Sequence, residues 1–369
     1  MVEYEMTSQR AMQSEYMHWA KTSSGATYNL ALSDLQPFPL TGVQIRFSDL
    51  SLSGPGAYGY QPLLEAIAHK EDVPSNCVVE TLGTSMANYI AMAVLIEPGD
   101  EVVIEHPTYE LLLSTARYLG ASVKRFHRRF ENNFVIDVDE LRRVLSPKTK
   151  LIVITNLHNP SSAFTDEETL NHIGETALSV GAKVLVDEVY LDAAVSKKPR
   201  SAIHLGPQFV TTDSLTKVYG VGGLRSGWIL AEPVLAQKMW RLIDLHYGAH
   251  VFIAEQLSVA MFSQLDVIAK RAEGLLKTNY DLLKSFISQQ KDLLAIPHEE
   301  GLITFPKLLS GNVDGLCKLL RNKYETSIVP GKFFEMPQHV RIGLGMESAT
   351  LKQGLANLAL ALGELATGS

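Results

Sequence analysis

The chain has 369 residues, 46% of them hydrophobic and 20% charged, enough for about two domains around a large buried core. Its formal net charge of −7 argues against a nucleic-acid-binding surface. Its two cysteines, Cys77 and Cys317, form no CxxC pair, so neither a zinc site nor a disulfide framework is implied, and a cytoplasmic, reducing compartment is expected.

Residues 1–20 are mixed in charge and lack the apolar centre of a secretion signal. Residues 1–45 carry little periodicity and are expected to pack on or beside a smaller domain. The first buried strand is "CVVETL" (77–82), followed at Gly83 by a helical pattern, "SMANYIAMAVLIE". The apolar-rich run 81–96 is too short and too polar to span a membrane. "EVVIEH" (101–106) is a second strand. "FHRRF", around Arg128 and Arg129, is the densest basic cluster and reads as a solvated turn. A helix is predicted from Asp137 ("DVDELRRVL"), a strand over 150–156 ("KLIVITN") and a helix from Asp166 ("DEETLNHIGETALSVG"). Strands follow at 183–190 ("KVLVDEVY") and 209–214 ("FVTTDS"). Strands separated by helices indicate a mostly parallel sheet covered on both faces. From 232 to 293 the pattern is helical. Beyond it, short strands ("LITFP", "HVRIGLG") mix with helices over 314–322 and 348–363, as in a smaller α+β domain. The expected division is 1–45, an N-terminal segment; 46–245, a large α/β domain; and 246–369, a linking helix and a small domain.

In an open α/β sheet, ligands bind beyond the carboxyl ends of the strands. Polar residues gather there in this chain: Gly83-Thr84-Ser85, Tyr109, Asn156, Asn159, Asp187, Glu188, Tyr190, Ser214, Thr216 and Lys217. A neutral lysine amine forms Schiff bases with carbonyls. A pyridinium needs an anion at its nitrogen. A phosphate suits the amides of a helix start with an arginine nearby. Lys217, Asp187, the Gly83–Ser85 turn and Arg225 are the residues for those tasks.

The order "GTS", "PTY", "NP", "DEVY", "SLTK", "GLRSG" and a late "VRIGL" resembles the class I/II aminotransferases, pyridoxal 5'-phosphate (PLP) enzymes of fold type I, over residues 27 to 363. The resemblance implies a large domain with a mostly parallel seven-stranded sheet flanked by helices, plus a smaller α+β domain. It further implies that Lys217 carries the cofactor as a Schiff base and moves the substrate proton. Asp187 would pair with the ring nitrogen, and Tyr190 and Asn159 would bond the ring's phenolic oxygen. Tyr109 would stack on the ring. Gly83, Thr84, Ser85, Ser214 and Arg225 would hold the phosphate. Arg341, together with Asn159, would bind the substrate carboxylate. The implied partners are an amino acid and a 2-oxo acid, in a homodimer with active sites at the interface. No metal, nucleic acid or membrane is implied.

The chain departs from the family pattern at three places. Ser162 stands where Asn-Pro-Thr-Gly members carry glycine. Gly54 occupies the position of a tyrosine that reaches the neighbouring phosphate, leaving Tyr58 or Tyr60 for that role. Ser85 replaces a lysine found in some members acting on acidic substrates, which disfavours aspartate or glutamate as donor. The same site would also serve a C–S β-elimination, a decarboxylation or a biosynthetic cyclisation. A PLP-binding regulatory module would carry a DNA-binding domain ahead of this fold, and residues 1–45 are too short for one.

Overall fold

The computed structural model describes residues 12–296, 298 and 300–367; the first eleven residues, read above for a signal, lie outside the described residues. Seven strands build the main sheet: β1 (Val78–Leu82), β2 (Glu101–His106), β3 (Ser122–His127), β4 (Thr149–Thr155), β5 (Lys183–Asp187), β6 (Phe209–Ser214) and β7 (Ser226–Leu230). They lie in the order β1-β7-β6-β5-β4-β2-β3. Only β7 runs against its neighbours; the other pairings are parallel.

The helices are α1 (Glu15–Thr22), α2 (Gln61–Glu71), α3 (Thr84–Leu95), α4 (Glu110–Tyr118), α5 (Val138–Val144), α6 (Glu167–Val180), α7 (Pro233–Ile243), α8 (Phe252–Phe262), α9 (Leu265–Ser288), α10 (Val313–Tyr324) and α11 (Ser348–Thr367). Strand side chains alternate between the two faces of a sheet. Leu151 and Val153 of β4 therefore join Ala87, Ile90 and Met239 of α3 and α7 in one cluster. Ile152 and Ile154 join Leu141, Leu170 and Ile173 of α5 and α6 in the other. Burial on both faces is why these strands read as unbroken apolar runs. No single helix among the described residues is long and apolar enough to cross a membrane.

The reading of "FHRRF" is corrected by the fold. Phe126 and His127 end the edge strand β3. Arg128 is 1% exposed. Its Nη1 lies 2.8 Å from Glu105 Oε2, and its Nε donates to the Phe134 carbonyl at 2.6 Å. The register His106–His127 brings the ends of β2 and β3 together, so Arg128 turns under the sheet to the carboxylate on the adjacent strand. A buried guanidinium persists where such charge-assisted bonds satisfy it. Of the two arginines only Arg129 remains at the surface, paired with Glu140.

The C-terminal third forms a second packing unit. The strand Val340–Gly343 pairs antiparallel with Ile303–Thr304 and with Val329–Pro330. Tyr28–Asn29 runs parallel to Thr326–Ser327. The chain from Leu30 to Gln36 then crosses from this unit to the main sheet. Gly343 N donates to the Leu30 carbonyl at 2.7 Å, and Leu35 N donates to the Lys217 carbonyl at 2.8 Å. Gly343 and Gly345 make that crossing possible, because an added Cβ would lie 1.7 Å from the Leu32 carbonyl oxygen and 2.2 Å from that of Asp34.

Candidate active site

The carboxyl ends of β4, β5 and β6 and the start of α3 converge on a cavity of about 260 Å³. Thr84, Ser85, Tyr109, Asn159, Asp187, Tyr190, Lys217 and Arg225 line it. Gly83, Ser214 and Arg341 adjoin it through direct contacts.

One end is built for an anion. Gly83 caps α3 with φ +81° and offers no side-chain cap, so the first amides of the helix are free. Arg225 lies over this turn, close enough that a Cβ on Gly83 would stand 2.3 Å from its Nη2. Gly227 gives the same clearance from the other side, since a Cβ there would come within 2.6 Å of the Gly83 backbone. Thr84 Oγ1 donates to Ser214 Oγ at 2.8 Å, and Ser214 Oγ also accepts from Thr216 N at 3.2 Å. Arg225 makes no ion pair among the described residues; its Nη1 donates only to the Gly222 carbonyl at 3.2 Å and its Nη2 only to that of Leu82 at 3.4 Å.

At the end of β5, Asp187 is buried. Its Oδ2 accepts from Asn88 Nδ2 at 2.8 Å and its Oδ1 from Val189 N at 3.2 Å. Thr212 Oγ1 donates to Asn88 Oδ1 at 2.7 Å, which fixes the amide so that its nitrogen faces Asp187. Burial pushes the Asp187 carboxyl up to about 6, against the opposing pull of these bonds and of Lys217. No cation lies within ion-pair distance of it among the described residues.

Lys217 follows β6. Its Nζ donates to Ser33 Oγ at 3.2 Å and lies 3.8 Å from Asp34 Oδ1. Burial pushes the Tyr190 hydroxyl up, while Lys217 and Arg341 oppose the shift. The Tyr109 ring meets Tyr16 edge-on at 5.9 Å.

Arg341 is wholly buried. Nη1 donates to Asn159 Oδ1 at 3.0 Å and Nη2 to the Tyr16 hydroxyl at 2.7 Å. Nε has no hydrogen-bond partner. Tyr16 and Phe334 flank the guanidinium, with ring centres 5.4 and 5.0 Å away. A buried charge with only neutral partners is costly unless a counterion completes it. The free helix start, the cationless Asp187 and the uncompensated Arg341 together fit a phosphorylated pyridine cofactor and a substrate carboxylate.

Three further placements bear on the sequence reading. Asn159 gives its side-chain oxygen to Arg341. Ser162 adopts φ +65°, the backbone glycine would favour, and its hydroxyl donates to the Ile303 carbonyl at 2.8 Å. Tyr58 bonds Asp244 at 3.0 Å and accepts from Arg241, while Tyr60 packs edge-on against Phe252 at 5.1 Å; neither lines this cavity. Asn88, Ser33 and Tyr16 escaped the sequence reading. Asn88 had one available signal: it lies four residues after Thr84 and so shares its helix face.

The family described as Aminotransferase class I and II matches residues 54–358. Capreomycidine synthase of Streptomyces vinaceus is 29% identical over 361 residues, covering 95% of this chain and 92% of that protein. An aspartate aminotransferase of Sulfolobus acidocaldarius is 24% identical over 331 residues, covering 84% and 82%. The crystal structure of a PLP-dependent aminotransferase from Streptococcus suis superposes with a TM-score of 0.89 at 25% identity, covering 95% of this chain and 96% of that one. With a family match across most of its length and this strand order around a lysine-bearing cavity, the chain belongs to the class I and II aminotransferases, fold type I enzymes that use PLP to move an amino group from an amino acid to a 2-oxo acid.

Proposed function

We propose the following division of labour for this transamination. The amides of Thr84 and Ser85, the Ser214 hydroxyl and the Arg225 guanidinium hold the cofactor phosphate, with the Gly83 amide engaged by the Thr81 carbonyl at 2.8 Å and its missing Cβ leaving room for Arg225. Asp187, oriented by Asn88, faces the ring nitrogen and keeps a proton on it. Tyr190 and Asn159 would bond the ring's phenolic oxygen, and Tyr109 would cover a ring face. When bound, PLP supplies a covalent anchor for the donor's amine and an electron sink for the pair left on its Cα. Lys217 Nζ takes the proton from Cα and returns one to the cofactor carbon, because it is the amine tethered at that point. Ser33 holds Nζ in the cavity. Arg341 receives the donor's α-carboxylate as a bidentate pair, displacing the Tyr16 hydroxyl from Nη2.

The observation that carries this reading is the buried Arg341 guanidinium, which has neutral partners alone and an unbonded Nε. The test is a single turnover with one amino acid and no acceptor. One equivalent of 2-oxo acid per site, with loss of the cofactor's visible absorbance, supports it. Continuous ammonia release with the absorbance restored would instead assign the same Cα chemistry to elimination or cyclisation. Identity to a relative named as a synthase makes that arm worth running.

The reading includes a homodimer. Leu40, Phe47 and Leu52 are exposed apolar residues, as are Leu245 and Val251. Ser51 N donates to Gln256 Oε1 at 2.9 Å, so the first stretch lies along α8 beside the second. Exposed apolar area of this kind suits a twofold contact. Of the "HYGAH" stretch, His250 is turned inward, 3.5 Å from Glu80, and Tyr247 packs edge-on against it at 5.1 Å, which leaves His246, Gly248 and Ala249 for such a contact. The division at residues 45 and 245 and a cytoplasmic location, supported by two free cysteines, complete the proposal.

A further inference from the structure

Two basic and two acidic side chains line the cavity: Lys217, Arg225, Asp187 and Asp34. In the division of labour proposed above, on which this inference rests, the first three are engaged by the cofactor. Asp34 is not. It is held in place by its neighbours: Leu35 N bonds the Lys217 carbonyl, Gln36 N bonds the Gly345 carbonyl at 2.7 Å, and its own carbonyl lies against Gly345. Its carboxylate is 41% exposed and lies 3.8 Å from Lys217 Nζ. In the resting holoenzyme that amine is bonded to the cofactor, and it is neutral whenever it serves as the Cα base, so an arriving donor meets Asp34 with no ammonium paired to it. The wall contributed by α1 carries no charge at all: Tyr16, Met17, Trp19 and Ala20 line it, and Tyr109 meets Tyr16 edge-on. Aromatic faces attract cations, and a carboxylate beside them adds direct pairing. No basic side chain is left among the lining residues for a second substrate carboxylate, which would meet Asp34 as a like charge.

We infer that the amino donor carries a cationic side chain, an ammonium or a guanidinium, which Asp34 receives against the aromatic wall of α1. Asp34 is thus a specificity-determining residue. A dicarboxylic donor is disfavoured by the same arrangement.

The experiment uses the holoenzyme and α-methyl amino acids, which lack the Cα proton and bind without turnover. Calorimetric affinities are compared for α-methylornithine and α-methylarginine against α-methylnorleucine and α-methylaspartate. The cationic compounds should bind about tenfold or more tightly than the neutral one, a modest ratio because Asp34 is part exposed and screened. The ratio should shrink with added salt. Asp34→Asn should bring it near one, and Asp34→Glu should retain it. Equal or tighter binding of the neutral compound to the wild-type enzyme, or a ratio unchanged in Asp34→Asn, overturns the inference. The two readings fail separately. If norleucine yields stoichiometric 2-oxo acid and cationic compounds gain no affinity, the specificity fails and the aminotransferase assignment stands. If the affinity ratio holds but no amino acid yields 2-oxo acid, the converse is true.

Discussion

Replacing Asp187 by asparagine separates the cost of this residue in folding from its use in catalysis. The carboxyl rises from 3.8 to about 6 on burial. Two units at roughly 1.4 kcal/mol each amount to about 3 kcal/mol. The sign follows from which state ionises first. Below about pH 3.8 both folded and unfolded chains hold the proton and there is no cost. Between about 3.8 and 6 the unfolded chain ionises while the folded one keeps its proton, so the cost grows. Above about pH 6 it is fully present. In cofactor-free enzyme, Asp187→Asn should therefore gain stability relative to wild type as pH rises, by about 2.5 kcal/mol between pH 4 and 7.5. The asparagine keeps one oxygen for the Asn88 amide, while its NH2 faces Val189 N, which loses its acceptor; that cost of about 1–3 kcal/mol does not vary with pH and leaves the predicted slope intact. With PLP bound the order should reverse, because a neutral amide cannot hold the ring proton, and most turnover should be lost. The assay is urea unfolding of both forms, with and without cofactor, at several pH values and one protein concentration. A stability difference that is flat with pH in the cofactor-free enzyme would refute the electrostatic argument. Near-normal turnover would remove Asp187 from the ring nitrogen.

Borohydride reduction of the holoenzyme should fix the cofactor on Lys217, read by peptide mass; a label on another lysine contradicts the assignment. Arg341→Ala should weaken amino-acid binding about ten- to a hundredfold, the value of a charged bidentate contact, while cofactor affinity stays; unchanged amino-acid affinity would mean another group holds the carboxylate. Arg128→Met should behave differently from Arg341→Ala, destabilising the fold by about 3–5 kcal/mol in denaturant because it strands the buried Glu105 carboxylate. Gly83→Ala should lower PLP affinity in equilibrium dialysis, since the new Cβ meets Arg225 and the φ of +81° is unfavourable for alanine.

The order of elements was legible in the sequence because hydrophobic periodicity is local. "KLIVITN" and "FVTTDS" announce strands buried on both faces, and the Gly83 turn announces the start of α3. The residues at strand ends could be collected for the same reason: a strand's carboxyl end is a position along the chain. What lay beyond reach were partnerships between distant segments. Tyr16 meets Arg341 across 325 positions, and Asn88 meets Asp187 across 99. The strand β3 was missed because an edge strand with a wet face, "SVKRFH", shows little apolar pattern. Arg128 read as solvated because charge is visible in a sequence and its burial is not; only the register between β2 and β3 brings Glu105 beneath it. The N-terminal segment is the clearest case. Ser33 and Asp34 carry no motif, and they become part of the site because Gly343 and Gly345 let their backbone cross to Lys217. Local pattern determined the elements and the chemistry available at their ends, while packing between segments far apart in sequence decided which groups are buried together, and with that their charge state and their partners.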